Sequence, residues 1–113
     1  MNVVFHIDES AKWPLVLQNV RNMAEFYQTQ NVSYRIEMVA NAQAVAELSR
    51  NIQTFSDSFA SLFEQGIIFA ACHNALYNLS IELERLYPFV KVVPDGVVEL
   101  AERQREGYAY IKP

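Results

Sequence analysis

Residues 67–72 (Ile67-Ile68-Phe69-Ala70-Ala71-Cys72) form an unbroken apolar run between Gly66 and the polar pair His73-Asn74. A run this short, closed at both ends by flexible or polar residues, predicts a strand covered on both faces. Such strands sit in the middle of parallel sheets, because parallel neighbours need crossover connections that lie on the sheet faces. This one segment therefore points to an α/β architecture.

The flanking sequence supplies the rest of that architecture. Residues 2–8 are β-branched and aromatic and predict a first buried strand. Pro14 suits the first turn of a helix. Trp13, Leu17, Val20, Ala24 and Tyr27 then recur at helical spacing and predict a helix to about Gln30. Residues 33–40 predict a second strand, with Tyr34, Ile36 and Met38 alternating with Arg35 and Glu37, so one of its sides is expected to be less covered. Asn41 is placed to cap a helix carrying Ala44, Val45 and Leu48. Residues 51–65 are ambiguous: Ile52, Phe55, Phe59, Leu62 and Phe63 have helical spacing, and Ser56 or Asp57 can start a helix that Gly66 ends. Residues 74–86 predict a helix broken near Asn78, with Ser80 capping a second piece and Pro88 beyond its end. Asn74, like Asn41, reads as a cap. A strand over 89–93 and a Pro94-Asp95-Gly96 turn follow. A helix over 97–106 turns Val97, Leu100 and Ala101 inward, and a last strand over 108–111 closes the chain. The alternation predicts a single domain over 1–113, an α/β/α sandwich on a parallel five-stranded sheet.

Composition narrows the functional classes. The 113 residues are 51% hydrophobic and 19% charged, which excludes a disordered chain. So little charge on a small surface points to apolar area hidden in a homo-oligomer. Nine Lys and Arg against 13 Asp and Glu, with no basic cluster, argue against nucleic acid as a partner. No apolar run nears the ~20 residues that span a bilayer, and no signal peptide is expected at the N-terminus. Three glycines leave no room for a dinucleotide or phosphate loop. One cysteine cannot form an internal disulfide, a CxxC pair or a multi-cysteine zinc site, so a reducing cytoplasm is the expected compartment and neither metal nor cofactor is expected.

In sheets of this class chemistry gathers beyond the carboxyl ends of the strands. Those ends carry Asp8, Asn41, Cys72-His73-Asn74 and Pro94-Asp95-Gly96. Cys72 ends the most apolar strand and directly precedes a helix, where partial positive charge favours a thiolate or a bound persulfide. It can equally pack as a small hydrophobe. His73 is adjacent but need not share its direction. His6 lies between Phe5 and Ile7 and reads as a core histidine, Asp8 as a turn carboxylate or a polar wall of the site. Residues 73–78 hold no Lys or Arg, unlike the cysteine loop of a rhodanese.

Several motifs together resemble the DsrE/DsrF-like superfamily of small sulfur-relay and intracellular sulfur-oxidation proteins. They are Val3-Val4-Phe5-His6-Ile7-Asp8 with Lys12-Trp13-Pro14, Val39-Ala40-Asn41 with Ala44-Val45, and Phe69-Ala70-Ala71-Cys72 with Asn74-Ala75-Leu76. Val93-Pro94-x-Gly96-Val97-x-Glu99-Leu100 and the stretch from Glu106 to Pro113 complete the set. The resemblance spans nearly the whole chain. It implies a three-layer fold, a homotrimer or hexamer, and a sulfur carrier or sulfurtransferase-like protein holding sulfane sulfur as a persulfide on Cys72. Asp8, Asn41, His73 and Asn74 would line the mouth, and a donor or acceptor protein would be the partner. The alternative is a non-catalytic oligomeric binding module with a structural Cys72. Two departures stand out: residues 51–63 are longer than usual, and Asn78-Leu79-Ser80 stands where sulfur-relay members often have a glycine. The phenylalanine-rich 51–63 segment is the expected subunit interface.

Overall fold

The protein, a computed structural model describing residues 1–113, contains five parallel strands: β1 (Asn2–Ile7), β2 (Arg35–Ala40), β3 (Ile68–Cys72), β4 (Val90–Val93) and β5 (Ala109–Ile111). Their order is β4-β3-β2-β1-β5. The helices are α1 (Trp13–Thr29), α2 (Ser56–Glu64), α3 (His73–Asn78) and α4 (Gly96–Arg105). From β1 to β4 the chain steps across the sheet in one direction, so right-handed crossovers stack α1, α2 and α3 on one face. The last connection runs back to β5 at the other edge, and the same handedness puts α4 alone on the opposite face.

The two faces are unequal. On the first, Val3, Phe5, Ile7, Ile36, Met38, Ala40, Phe69 and Ala71 pack with Trp13, Val16, Val20, Phe59, Leu62 and Leu76 in the main core. Trp13 Nε1 donates to the Ala44 carbonyl at 3.0 Å, which satisfies the one polar atom of a buried ring. Under α4 lies a smaller cluster of Val4, Val39, Ala70, Val93, Leu100 and Tyr108.

Four local expectations are corrected. The segment after Asn41 is a 3₁₀ helix (Ala42–Leu48), not an α-helix. Its ends are fixed by Asn41 N–H donating to Ile7 O and Tyr87 N–H donating to Leu48 O, and the tighter winding seats Ala44, Val45 and Leu48 between them. No second helix starts at Ser80. Its φ of +56° is left-handed, and Ile81 N–H closes back on Leu76 O at 2.9 Å, so only a 3₁₀ turn (Leu83–Arg85) follows. On α4 the inward positions are Gly96 and Leu100, whereas Val97 and Ala101 are exposed. Finally, β2 is covered on both sides: Glu37, expected at a less covered side, is buried at 1% exposure because α4 lies over it. Residues 51–65 resolve as α2, followed by Gly66 at φ +90°.

Candidate functional site

The carboxyl ends of the strands place three of the predicted residues in one row. Ile7, Ala40 and Ala71 pair across β1, β2 and β3. One residue further on, Asp8, Asn41 and Cys72 come out at the same level, with Cys72 paired to Val93 on β4. Strand alternation turns this row toward the α4 face, because Val39 and Ala70, two residues before Asn41 and Cys72, pack under α4; Cys72, at the junction with α3, also joins the main core.

Helix α4 begins on top of this row. Its N-cap, Asp95, accepts from Val97 N–H at 3.2 Å. Its first residue, Gly96, lies against the thiol: a Cβ there would stand 3.2 Å from Cys72 Cβ and 3.2 Å from Asn41 Cγ. Those distances are tighter than ordinary van der Waals contact, so any side chain there would make its neighbours give by a few tenths of an ångström. Gly96→Ala should therefore push the start of α4 off Cys72 and Asn41, at a net cost of about 1–2 kcal/mol. Urea denaturation would read that loss; an unchanged or raised midpoint would mean that the neighbours yield freely. Cys72 itself is a free thiol, 3% exposed.

His73 and Asn74 go elsewhere. Both are exposed and, with Val92 and Pro94, line an open cavity of about 420 Å³ beside the row. Asn74 does not cap α3, which already begins at His73 with Cys72 in the N-cap position. Asn41 does accept from Ala42 N–H, at 2.9 Å. The five predicted residues thus split into a row of buried Cys72 with half-exposed Asn41 and Asp8, and an exposed cavity wall of His73 and Asn74.

His6 is half-buried beside β5 rather than in the main core. Its Nδ1 lies 2.8 Å from Tyr110 Oη, and its Nε2 is buried without a partner. Burial lowers its pKa below the usual histidine value; Asp8 opposes that shift and Lys112 adds to it. Asp8 pairs with Lys112 at 3.1 Å. No group of three or more His, Cys, Asp or Glu side chains converges as a metal site requires.

Beneath the middle of α4 lies a cluster that motif reading missed. Glu37 Oε1 is 3.6 Å from Lys91 Nζ on β4, and Lys91 Nζ is 3.2 Å from Glu99 Oε2 on α4. Arg103 Nε approaches the same Glu99 oxygen at 3.7 Å. Glu37 and Glu99 thus share Lys91 as a partner, and Glu37 Oε2 is buried with no hydrogen-bond partner. Burial, reinforced by Glu99, pushes the Glu37 pKa up to about 7. The Glu37 carboxyl beside it holds Glu99 below the usual carboxylate value, with Lys91 and Arg103 acting in the same direction. Glu37 is therefore the member of the pair that keeps its proton to higher pH. The signal in the sequence was a lone carboxylate between Ile36 and Met38.

This sheet order, with three helices on one face and one on the other, defines a DsrE-like α/β protein. The solved structure of MTH1491, a protein of unknown function from Methanobacterium thermoautotrophicum, matches it with a TM-score of 0.89 and 38% sequence identity, covering 99% of this chain and 98% of that one. The chain belongs to the same family as MTH1491. Two more distant structures share the fold. They are the ychN protein from E. coli (TM-score 0.74, 14% identity, 100% of this chain and 99% of that one) and BT1422, a conserved protein of unknown function from Bacteroides thetaiotaomicron (0.76, 12%, 99% and 94%). No protein-family model and no curated protein matches the sequence. No helix is long and apolar enough to cross a membrane.

Proposed function

We propose that the protein is a sulfur carrier of the DsrE type, holding sulfane sulfur as a persulfide on Cys72 in a cytoplasmic relay. The observation that carries this reading is the position of Cys72, which ends the interior strand β3 between the first turns of α3 and α4, in one row with Asn41 and Asp8. Helix starts favour negative charge on sulfur. The Cys72 thiolate would attack the outer sulfur of a polysulfide. A new S–S bond forms on Cys72, the donor's S–S bond breaks, and its electron pair leaves on the shortened donor as a thiolate. Attack by an acceptor thiolate on the outer sulfur would reverse the exchange. Asn41 and Asp8 flank the sulfur along the row, and the cavity walled by His73 and Asn74 receives the donor or acceptor protein. The step needs neither metal nor cofactor.

Cyanide releases sulfane sulfur as thiocyanate and so tests the proposal. After exposure to polysulfide and desalting, wild type should yield about one equivalent of thiocyanate and Cys72→Ser none; equal yields from both would contradict it. The burial of Cys72 favours one other reading, a non-catalytic binding module in which the thiol is packing. That reading predicts no releasable sulfur and alkylation of native Cys72 many-fold slower than in unfolded protein at neutral pH.

The same proposal includes assembly as a homotrimer or hexamer. The interface expected over 51–63 is largely consumed within the subunit: Phe59 and Leu62 are buried, Phe55 packs on the core, and only Phe63 remains open, stacked on Phe89 at 5.0 Å. Apolar surface lies instead at Tyr77 (78% exposed), Leu79 and Leu83, next to Ile52 and Ile81. Tyr77→Asp should lower the mass measured by light scattering, and a monomeric wild type would contradict assembly.

A further inference from the structure

Three features of the α4 face bear on one another. The helix is the only one covering that side of the sheet, over a cluster of six buried residues against 23 in the main core, which Cys72 joins at its edge. Its first residue lies on Cys72, and its first turn carries Glu99 of the acid pair, with Arg103 one turn further on. Val97 and Val98 face outward, so nothing packed in the subunit holds the helix down from outside. We propose that the Glu37–Glu99 pair is a protonation switch for the cover over Cys72: a proton on Glu37 holds α4 on the sheet, and its loss loosens the helix and admits small reagents to the thiol. The proposal rests on the reading of Cys72 as the reactive residue, since only then does the cover control chemistry.

The charges facing Glu37 can be counted element by element. From α4 come Glu99 and Arg103, and from β4 comes Lys91. Its sheet neighbours, Val4 on β1 and Ile68 on β3, carry no charge. With Glu37 protonated, only the Glu99 charge remains there, and Lys91 at 3.2 Å and Arg103 at 3.7 Å balance it. Without that proton, a second negative charge sits at a 1% exposed site. Lys91 already serves Glu99 at the shorter distance, and Arg103 is divided between Glu99 and Glu106, the latter at 3.1 Å. A buried charge so poorly paired is costly until water reaches it. Displacement of α4, which covers Glu37 on the side away from the sheet, would admit water to it. The Glu37 pKa near 7 sets the pH range in which this happens.

The test measures access to Cys72 without any sulfur chemistry. Native and urea-unfolded protein are alkylated with iodoacetamide from pH 5.5 to 9, and their rate ratio at each pH removes most of the thiol's own titration. Wild-type protection should fall about tenfold between pH 6 and 8, while Glu37→Gln, which keeps a neutral donor facing Glu99, should stay flat. Hydrogen exchange in wild type provides a second readout that needs no variant. After correction for intrinsic rates, the α4 amides should lose protection over the same range while those of β3 keep theirs. Flat wild-type protection, or the same slope in Glu37→Gln, would overturn the proposal. If Cys72 takes up no sulfur but the slope appears, the switch stands and the sulfur reading fails; if sulfur is taken up but the slope is flat, the sulfur reading stands and the switch fails.

Discussion

Phe59→Ala is expected to cost about 3–5 kcal/mol, a large part of the ~5–15 kcal/mol that holds a typical domain together. The side chain is fully buried on α2. Its ring packs on Trp13 (5.1 Å between centroids), Phe69 (5.4 Å), Tyr87 (5.8 Å) and Phe55 (6.0 Å). These residues come from α1, β3, the loop before β4 and the start of α2, so one truncation removes the filling shared by four parts of the main core. The neighbours are rings and cannot collapse into the space as flexible aliphatic chains would, which keeps the cavity cost high. Urea unfolding should show a much lower midpoint with little change in slope. A loss under about 1 kcal/mol would mean that the core is far looser than its contacts indicate.

The second large effect is a dependence of stability on pH. The folded pKa of Glu37, about 7, lies above its ordinary value of 4.5. Between those two values the folded protein keeps a proton that the unfolded chain has released, so stability falls as pH rises through this window. The drop is on the order of 2–3 kcal/mol, at ~1.4 kcal/mol per pH unit. Glu99 has the opposite sign: its folded pKa is depressed, so its contribution is lost as pH falls below about 4.5. The pair alone therefore favours an optimum near pH 4.5–5. His6, lowered by burial, adds stability as pH rises toward 6.5 and partly masks the neutral limb. Comparison with Glu37→Gln isolates that limb: urea-derived stability of wild type should fall relative to the variant between pH 5 and 7.5. Parallel curves would contradict the buried proton on Glu37.

The fold was legible because periodicity and burial agree along most of the chain. The apolar run to Cys72, the helical spacing from Trp13 to Tyr27 and the turn at Pro94 to Gly96 each set one element, and handedness sets the layers. What stayed hidden depended on which residues meet in space. Glu37 in β2 looked like the polar side of a half-covered strand, yet the return of α4 across the sheet buries it against a second acid. Val97 looked inward because it is apolar, but the close seat of Gly96 on Cys72 rotates it outward. The sequence placed Asp8, Asn41 and Cys72 at or just beyond strand ends, where the structure has them. It could not separate the row of Asp8, Asn41 and buried Cys72 from the open cavity beside His73 and Asn74, because that division follows from the direction of side chains at the strand-to-helix junction. The missing helix after Ser80 has a similar origin: its left-handed backbone turns the chain back so that Leu86 can be buried.

The central claim is that Cys72 carries sulfur, and intact mass spectrometry of the native protein tests it most directly. After incubation with polysulfide and removal of excess reagent, wild type should gain the mass of one sulfur atom, a partner thiol should remove it, and Cys72→Ser should gain nothing. An unmodified wild type, or the same gain in Cys72→Ser, would contradict the account and leave Cys72 as a packing residue of a binding module.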